Sequence, residues 1–130
     1  MIRSCILTAA VLLGATHVRA QAQAAPARDS LTTRFAGLWD GRFVSDHGPA
    51  GVMQVTVARD SAWTLGVEMA HDGHAIATRA GGVKVAGQTI SWTLYIVDMT
   101  CRVTATVDGD TMTGDGDCGT MGFKLELQKR

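Results

Sequence analysis

Residues 101 to 118 read CRVTATVDGDTMTGDGDC, and the register of this stretch decides the fold. Apolar or small residues occupy alternate positions, first Cys101, Val103, Ala105 and Val107, then Met112, Gly114 and Gly116. That is the period of a half-buried β-strand. Between the two runs, Gly109-Asp110 fits a two-residue hairpin turn with glycine first, as a type II′ turn requires. Counted outward from that turn, Asp108 faces Thr111, Arg102 faces Asp117 and Cys101 faces Cys118. The two cysteines fall in the closer, non-hydrogen-bonded class of facing residues, at the short edge of what a disulfide spans. With Gly119-Thr120 as the next turn, Asp115 faces Lys124, Gly116 faces Phe123 and Gly114 faces Leu125. Large inward side chains then lie over inward glycines.

The same alternation, broken by short turn signals, runs from Phe35 to the C-terminus and predicts an all-β, eight-stranded antiparallel up-and-down meander barrel. The inward set is Trp39, Gly41 and Phe43; Met53, Val55 and Val57; Trp63, Leu65, Val67 and Met69; Ile90, Trp92, Leu94 and Ile96; and, at the end, Phe123, Leu125 and Leu127. In the fourth strand the phase breaks between Ile76 and Ala80 on one side and Val83 and Val85 on the other. Gly81-Gly82 stands at the break, where a β-bulge would shift the phase by one residue. A two-sheet sandwich built from the same strands is the competing architecture.

Upstream, MIRSCILTAAVLLGATHVRAQAQAAPA has one early arginine, a short apolar core and small residues offering Ala-x-Ala cleavage sites. This is the layout of a secretory signal peptide over residues 1–22. The apolar core falls well short of the ~20 residues that span a bilayer. Residues 23–34 form a lead-in, with Ser30 placed to cap a single helical turn, and residues 35–130 form the barrel domain. Twelve basic and twelve acidic side chains balance over the whole chain; the leader removes Arg3 and Arg19 and no acid, leaving ten basic against twelve acidic. Such a surface presents no basic field for nucleic acid or anionic lipid. Cleavage also removes Cys5 and His17. Cys101 and Cys118 are left as a pair in an oxidising compartment, periplasmic or extracellular, where a disulfide is expected.

In a meander, alternate connections gather at one end. The first, third, fifth and seventh are those around His47, at His71 to His74, at Asp98-Met99, and at Cys118 to Met121. That end collects the three histidines of the mature chain, His47, His71 and His74, with Asp46, Asp72 and Asp98. The opposite end holds plain turns. Asp72-Gly73 suits a type I′ turn, which sets His71 opposite His74 at a separation two ligands of one metal ion can use; Asp72 or His47 would complete a site. Whether a metal binds is left open by the sequence. DGDTMTGDGD at 108–117 superficially suggests a calcium loop. An EF-hand needs an oxygen ligand where Met112 stands and a glutamate where Gly119 stands, so a solvated hairpin face accounts for it better. No Gly-x-Ser-x-Gly, His-Glu-x-x-His or phosphate loop is present, and Asp40, Glu68 and Glu126 fall on the outward phase. The expectation is a non-enzyme without a cofactor.

Gly37-Leu38-Trp39 at the start of the first strand resembles the Gly-x-Trp that opens the barrels of the lipocalin and calycin group, and the order and spacing of the strands are similar to theirs. The resemblance covers residues 35–130, without that group's long C-terminal helix. It implies that Trp39 packs at the closed end beneath a basic side chain from the chain's end, Lys129 or Arg130, with Arg130 the nominated partner. It also implies a ligand mouth at the opposite end. The chain is similar as well to small secreted bacterial inhibitors of metalloproteases, whose N-terminal segment enters the protease cleft; residues 23–34 would play that part. The reading is therefore a secreted or periplasmic, non-catalytic binding protein for a small apolar or amphipathic ligand. Its mouth carries His47, His71, Asp72, His74, Asp98 and Met99. A protein-interaction module such as a protease inhibitor is the alternative.

Overall fold

A computed structural model of the chain describes residues 27–130; the expected signal peptide and the first residues of the lead-in lie outside them. One helix, α1 (Ala27–Phe35), precedes nine strands: β1 (Gly37–Ser45), β2 (Ala50–Arg59), β3 (Trp63–His71), β4 (His74–Ile76), β5 (Thr78–Ala86), β6 (Thr89–Ile96), β7 (Met99–Asp108), β8 (Thr111–Asp117) and β9 (Gly122–Lys129). All neighbours are antiparallel, in the order β4-β3-β2-β1-β9-β8-β7-β6-β5. The sheet curls into a nearly closed barrel, a form compatible with a lipocalin-like fold. Its two edges meet where Thr78 Oγ1 donates to the Val67 carbonyl at 2.8 Å, with no ladder between β3 and β5.

The hairpin at 101–118 has the expected register. Arg102 pairs with Asp117 and Asp108 with Thr111; Asp115 pairs with Lys124 and Gly116 with Phe123. Gly109 has a φ of 61°, the left-handed conformation that the first central position of a type II′ turn demands. One step beyond the ladder, the sulfurs of Cys101 and Cys118 are 1.99 Å apart and their Cα atoms 4.0 Å apart. The last strands are thereby stapled at the mouth end. On the outer face Lys124 Nζ reaches Asp115 Oδ1 at 3.0 Å. That hydrogen bond, and then charge attraction, raises the Lys124 ammonium above its ordinary value.

The expected fourth strand is two strands, which makes the count nine and corrects the expected eight. Residues 74–76 pair with β3, the chain breaks at Ala77, and residues 78–86 pair with β6 alone. Ala75 and Ala77 are short and exposed, so little side-chain packing holds this stretch against β3 beyond Ile76. The phase shift expected at Gly81-Gly82 is present. The ladder steps from Gly81↔Thr93 to Lys84↔Ser91, one extra residue on β5, and Gly82 takes a φ of 62°. That is a β-bulge.

The inward phase forms one core, in which Trp39, Val55, Ile90, Leu94, Val103, Met112 and Leu127 are fully enclosed. Trp63, Leu65, Ile76, Ala80, Val83 and Val85 pack on this core but stay partly open. They belong to the strands on either side of the unladdered seam. At the closed end α1 is longer than a single turn, and it begins at Ala27, so Ser30 lies inside it rather than at its cap. It buries Phe35 completely, edge-on to Trp63 with ring centroids 6.2 Å apart. Arg34 donates to the Gly87 carbonyl at 2.7 Å. Among the described residues no helix is long and apolar enough to cross a membrane.

Candidate functional site

The end carrying Asp46 to Pro49, Asp72-Gly73, Val97-Asp98 and Gly119-Thr120 is assembled from turns, and three of its four connections are tied together. Asp46 N donates to the Gly122 carbonyl at 2.9 Å and Ser45 N to the Pro49 carbonyl at 3.3 Å. These bonds fold the β1–β2 loop back onto the start of β9. His71 Nδ1 lies 2.6 Å from the Ala50 carbonyl; a carbonyl only accepts, so Nδ1 carries the proton. His71 Nε2 lies 3.3 Å from Asp72 Oδ2. Both ring nitrogens thus face oxygens of the protein, and the ring links the β3–β4 hairpin to β2.

His71 and His74 face each other across the hairpin as expected. Asp72 and Gly73 have φ values of 51° and 77°, the two left-handed residues of a type I′ turn. His47, Asp72, His74 and Asp98 are exposed and Met99 is half-buried. No group of three His, Cys, Asp or Glu side chains poised around a common point is found among the described residues. The hairpin geometry therefore brings two imidazoles together without a third donor, and one of those rings is already engaged.

Behind these polar turns the interior is filled by side chains, Phe43 and Phe123 among them. The rings of Phe43 and Phe123 meet edge to face at 6.4 Å. Each lies over a glycine. A Cβ on Gly51 would fall 2.8 Å from Phe43 Cε1, and one on Gly116 would fall 2.2 Å from Phe123 Cε1. Both distances are inside van der Waals contact, so the rings occupy the space that side chains at those positions would fill. Met69, 5 % exposed, Ile76 and Ile96 continue the apolar rim.

The closed end is sealed differently. Trp39 Nε1 donates to the Phe35 carbonyl at 2.9 Å, and Lys129 Nζ sits 5.4 Å from the centre of the Trp39 ring while donating to the Thr33 carbonyl at 2.7 Å. The cation over the indole is Lys129, and this corrects the nomination of Arg130. Alternation along β9 decides it: Leu125 and Leu127 point inward, so Lys129 follows them, and Arg130 turns outward to pair with Asp40. Residues 31–35 are committed to this end through Leu31 and Phe35. That part of the lead-in is not a free arm.

Sequence reasoning missed two features. Val97 takes a φ of 44° in the turn between β6 and β7, although β-branched residues rarely adopt it, and it is 77 % exposed. Nothing in the local sequence signals this, because Gly or Asn would be the expected residue. The other is the Trp92 indole nitrogen, buried with no hydrogen-bond partner among the described residues; period-two alternation says that Trp92 points inward and nothing of what its N–H meets. Compared with known proteins, the chain matches no family model and no curated protein.

Proposed function

We propose that the protein is an exported, non-catalytic binding barrel whose ligand is a small apolar or amphipathic molecule entering at the end of His47, His71 and His74. The observation that carries this reading is the contrast between the two ends. One is sealed by a helix whose carbonyls accept from Trp39 Nε1 and Lys129 Nζ, with the lysine stacked on the indole. At the other the turns are tied to one another at the perimeter, but the interior behind them is filled by side chains alone, the phenyl rings of Phe43 and Phe123 and an apolar rim. Side chains over glycines can swing by a rotamer change, whereas a docked helix cannot. Methionines in the core, Met53, Met69 and Met112, add a lining that adapts to a guest. Asp98 and the three histidines give the entrance a polar border suited to an amphipathic headgroup.

Native mass spectrometry of mature protein exported to a bacterial periplasm, compared with the same sample denatured, tests this reading. The expected result is a native mass exceeding the denatured one by a small organic molecule. The denatured mass should also show the loss of two hydrogens at Cys101 and Cys118. A bare native mass, together with no uptake of added long-chain alcohols or fatty acids, would overturn it.

The competing reading, a protein-interaction module, is favoured by Val97: an apolar side chain held exposed on a strained hairpin tip suits insertion into a partner's pocket. The protease-inhibitor form has less support, because residues 31–35 are docked on their own barrel.

A further inference from the structure

Two indoles are fully enclosed in this barrel, and their N–H groups have different fates. Trp39 donates to the Phe35 carbonyl. Trp92, 1 % exposed, finds no acceptor among the described residues. No polar or charged residue among them is buried, so the interior offers it no side-chain oxygen. A buried donor without an acceptor is destabilising, and native proteins seldom keep one.

The ladder shows what stands beside it. Trp92 pairs with Val103, Val103 with Gly116, and Gly116 with Phe123; the four residues form one inward row across β6, β7, β8 and β9. Gly116 contributes no side chain, and its space is filled by the Phe123 ring, with Cε1 and Cζ 2.2 and 2.3 Å from where a Cβ would lie. Phe123 is also half of the aromatic pair at the mouth. Were this one ring to swing away, the space over Gly116 would be left open, two positions along the row from Trp92.

We propose that this space is the ligand site, that the Phe123 ring fills it in the empty barrel, and that Trp92 Nε1 donates to the ligand's oxygen. The ligand class follows from the walls: a neutral, ring-sized apolar molecule with one acceptor oxygen, such as an aryl ketone, aldehyde or ester. A charged group would find no buried counter-charge. The proposal rests on the binding-barrel reading and names its anchor.

The test uses mature, disulfide-bonded protein uniformly labelled with ¹³C and ¹⁵N, titrated with acetophenone and with isopropylbenzene, which has similar shape and no acceptor. Acetophenone should move the Trp92 indole N–H resonance to lower field and leave that of Trp39 in place. Isopropylbenzene should bind roughly tenfold more weakly, the order of one hydrogen bond. Phe123→Leu should tighten acetophenone binding several-fold, and Trp92→Phe should erase the preference for the ketone. A Trp92 resonance unmoved by saturating acetophenone, in both wild type and Phe123→Leu, overturns the proposal, as does an indole that cross-relaxes with an internal water acetophenone cannot displace. If both probes bind equally and shift only the rim at Ile96, Met99 and Met121, the anchor falls and the binding-barrel reading stands. If neither probe perturbs any core or rim resonance, both fall.

Discussion

Val97 spends conformational energy for no contact that offsets it. A β-branched residue in the left-handed region costs about 1–2 kcal/mol, and this side chain is largely exposed. Val97→Asn should therefore raise stability by up to about 1 kcal/mol in urea denaturation, since Asn tolerates that conformation without the added unfolded-state entropy of Gly. If the interaction reading were right, the same substitution would weaken partner binding while strengthening the fold. Glycines give a second comparison at this scale. At Gly41 a Cβ would lie 2.1 Å from the Glu126 carbonyl oxygen, whereas at Gly66 it would meet nothing within 4 Å. Gly41→Ala should cost about 3 kcal/mol or prevent folding, because backbone has to move. Gly66→Ala should be neutral or slightly stabilising. Equal midpoints for the two variants in a thermal melt would refute this account of β1 and β9 packing.

At the scale of elements, the β7–β8 hairpin is held by its turn, its ladder and the disulfide. Cys101 and Cys118 are 17 residues apart, and closing a loop of that size is worth about 3 kcal/mol in the chain-entropy model. Replacing both cysteines with alanine should lower stability by about that amount. A melting temperature unchanged by the double replacement would mean that the ladder alone holds the hairpin. The Lys124–Asp115 pair on its neighbour is exposed and acts only at the margin. Because the lysine value is raised in the folded state, the pair contributes below the ordinary lysine value of 10.5 and its contribution is lost as pH rises through the folded-state value. The difference in melting temperature between wild type and Lys124→Met should accordingly be present at neutral pH and close at alkaline pH. Helix α1 is polar along most of its length and holds its place through Leu31 and Phe35. Phe35→Ala should cost about 3–5 kcal/mol, the range for emptying a buried aromatic site, and should shift the emission of Trp39 and Trp63 to the red.

For the molecule as a whole, the decisive feature is an incomplete closure. Eight neighbouring pairs are laddered, while the ninth contact, β3 against β5, rests on side chains and one hydroxyl bond. Backbone amides along this seam should exchange with solvent well before those of β7, β8 and β9, because they open without breaking a ladder. Uniform protection around the barrel by hydrogen exchange would contradict this. Lys84 and Arg79 on β5, both exposed, are the charges that discourage another chain from pairing with the free edge.

Much of this architecture was legible in the sequence. Period two identifies a strand and its inward face whatever the strand packs against, and the turns Gly109-Asp110 and Asp72-Gly73 set register by themselves. The pairing of Cys101 with Cys118, Gly116 beneath Phe123, the bulge at Gly81-Gly82 and the gathering of four connections at one end all follow from such local rules. Tertiary structure alone decided the rest. Alternation does not say where a strand changes partner, so the break at Ala77 depends on how far β3 and β6 diverge as the sheet curls. It puts Lys129 rather than Arg130 on the inward phase, but it does not say that the ammonium lies over Trp39 and reaches the Thr33 carbonyl, which needed the third dimension. Nor does it say whether an inward polar atom meets a partner, which depends on atoms contributed by distant strands. The N–H of Trp92 and the phenyl rings that fill the interior behind the mouth belong to this last kind, since their surroundings exist only once the barrel has closed around them.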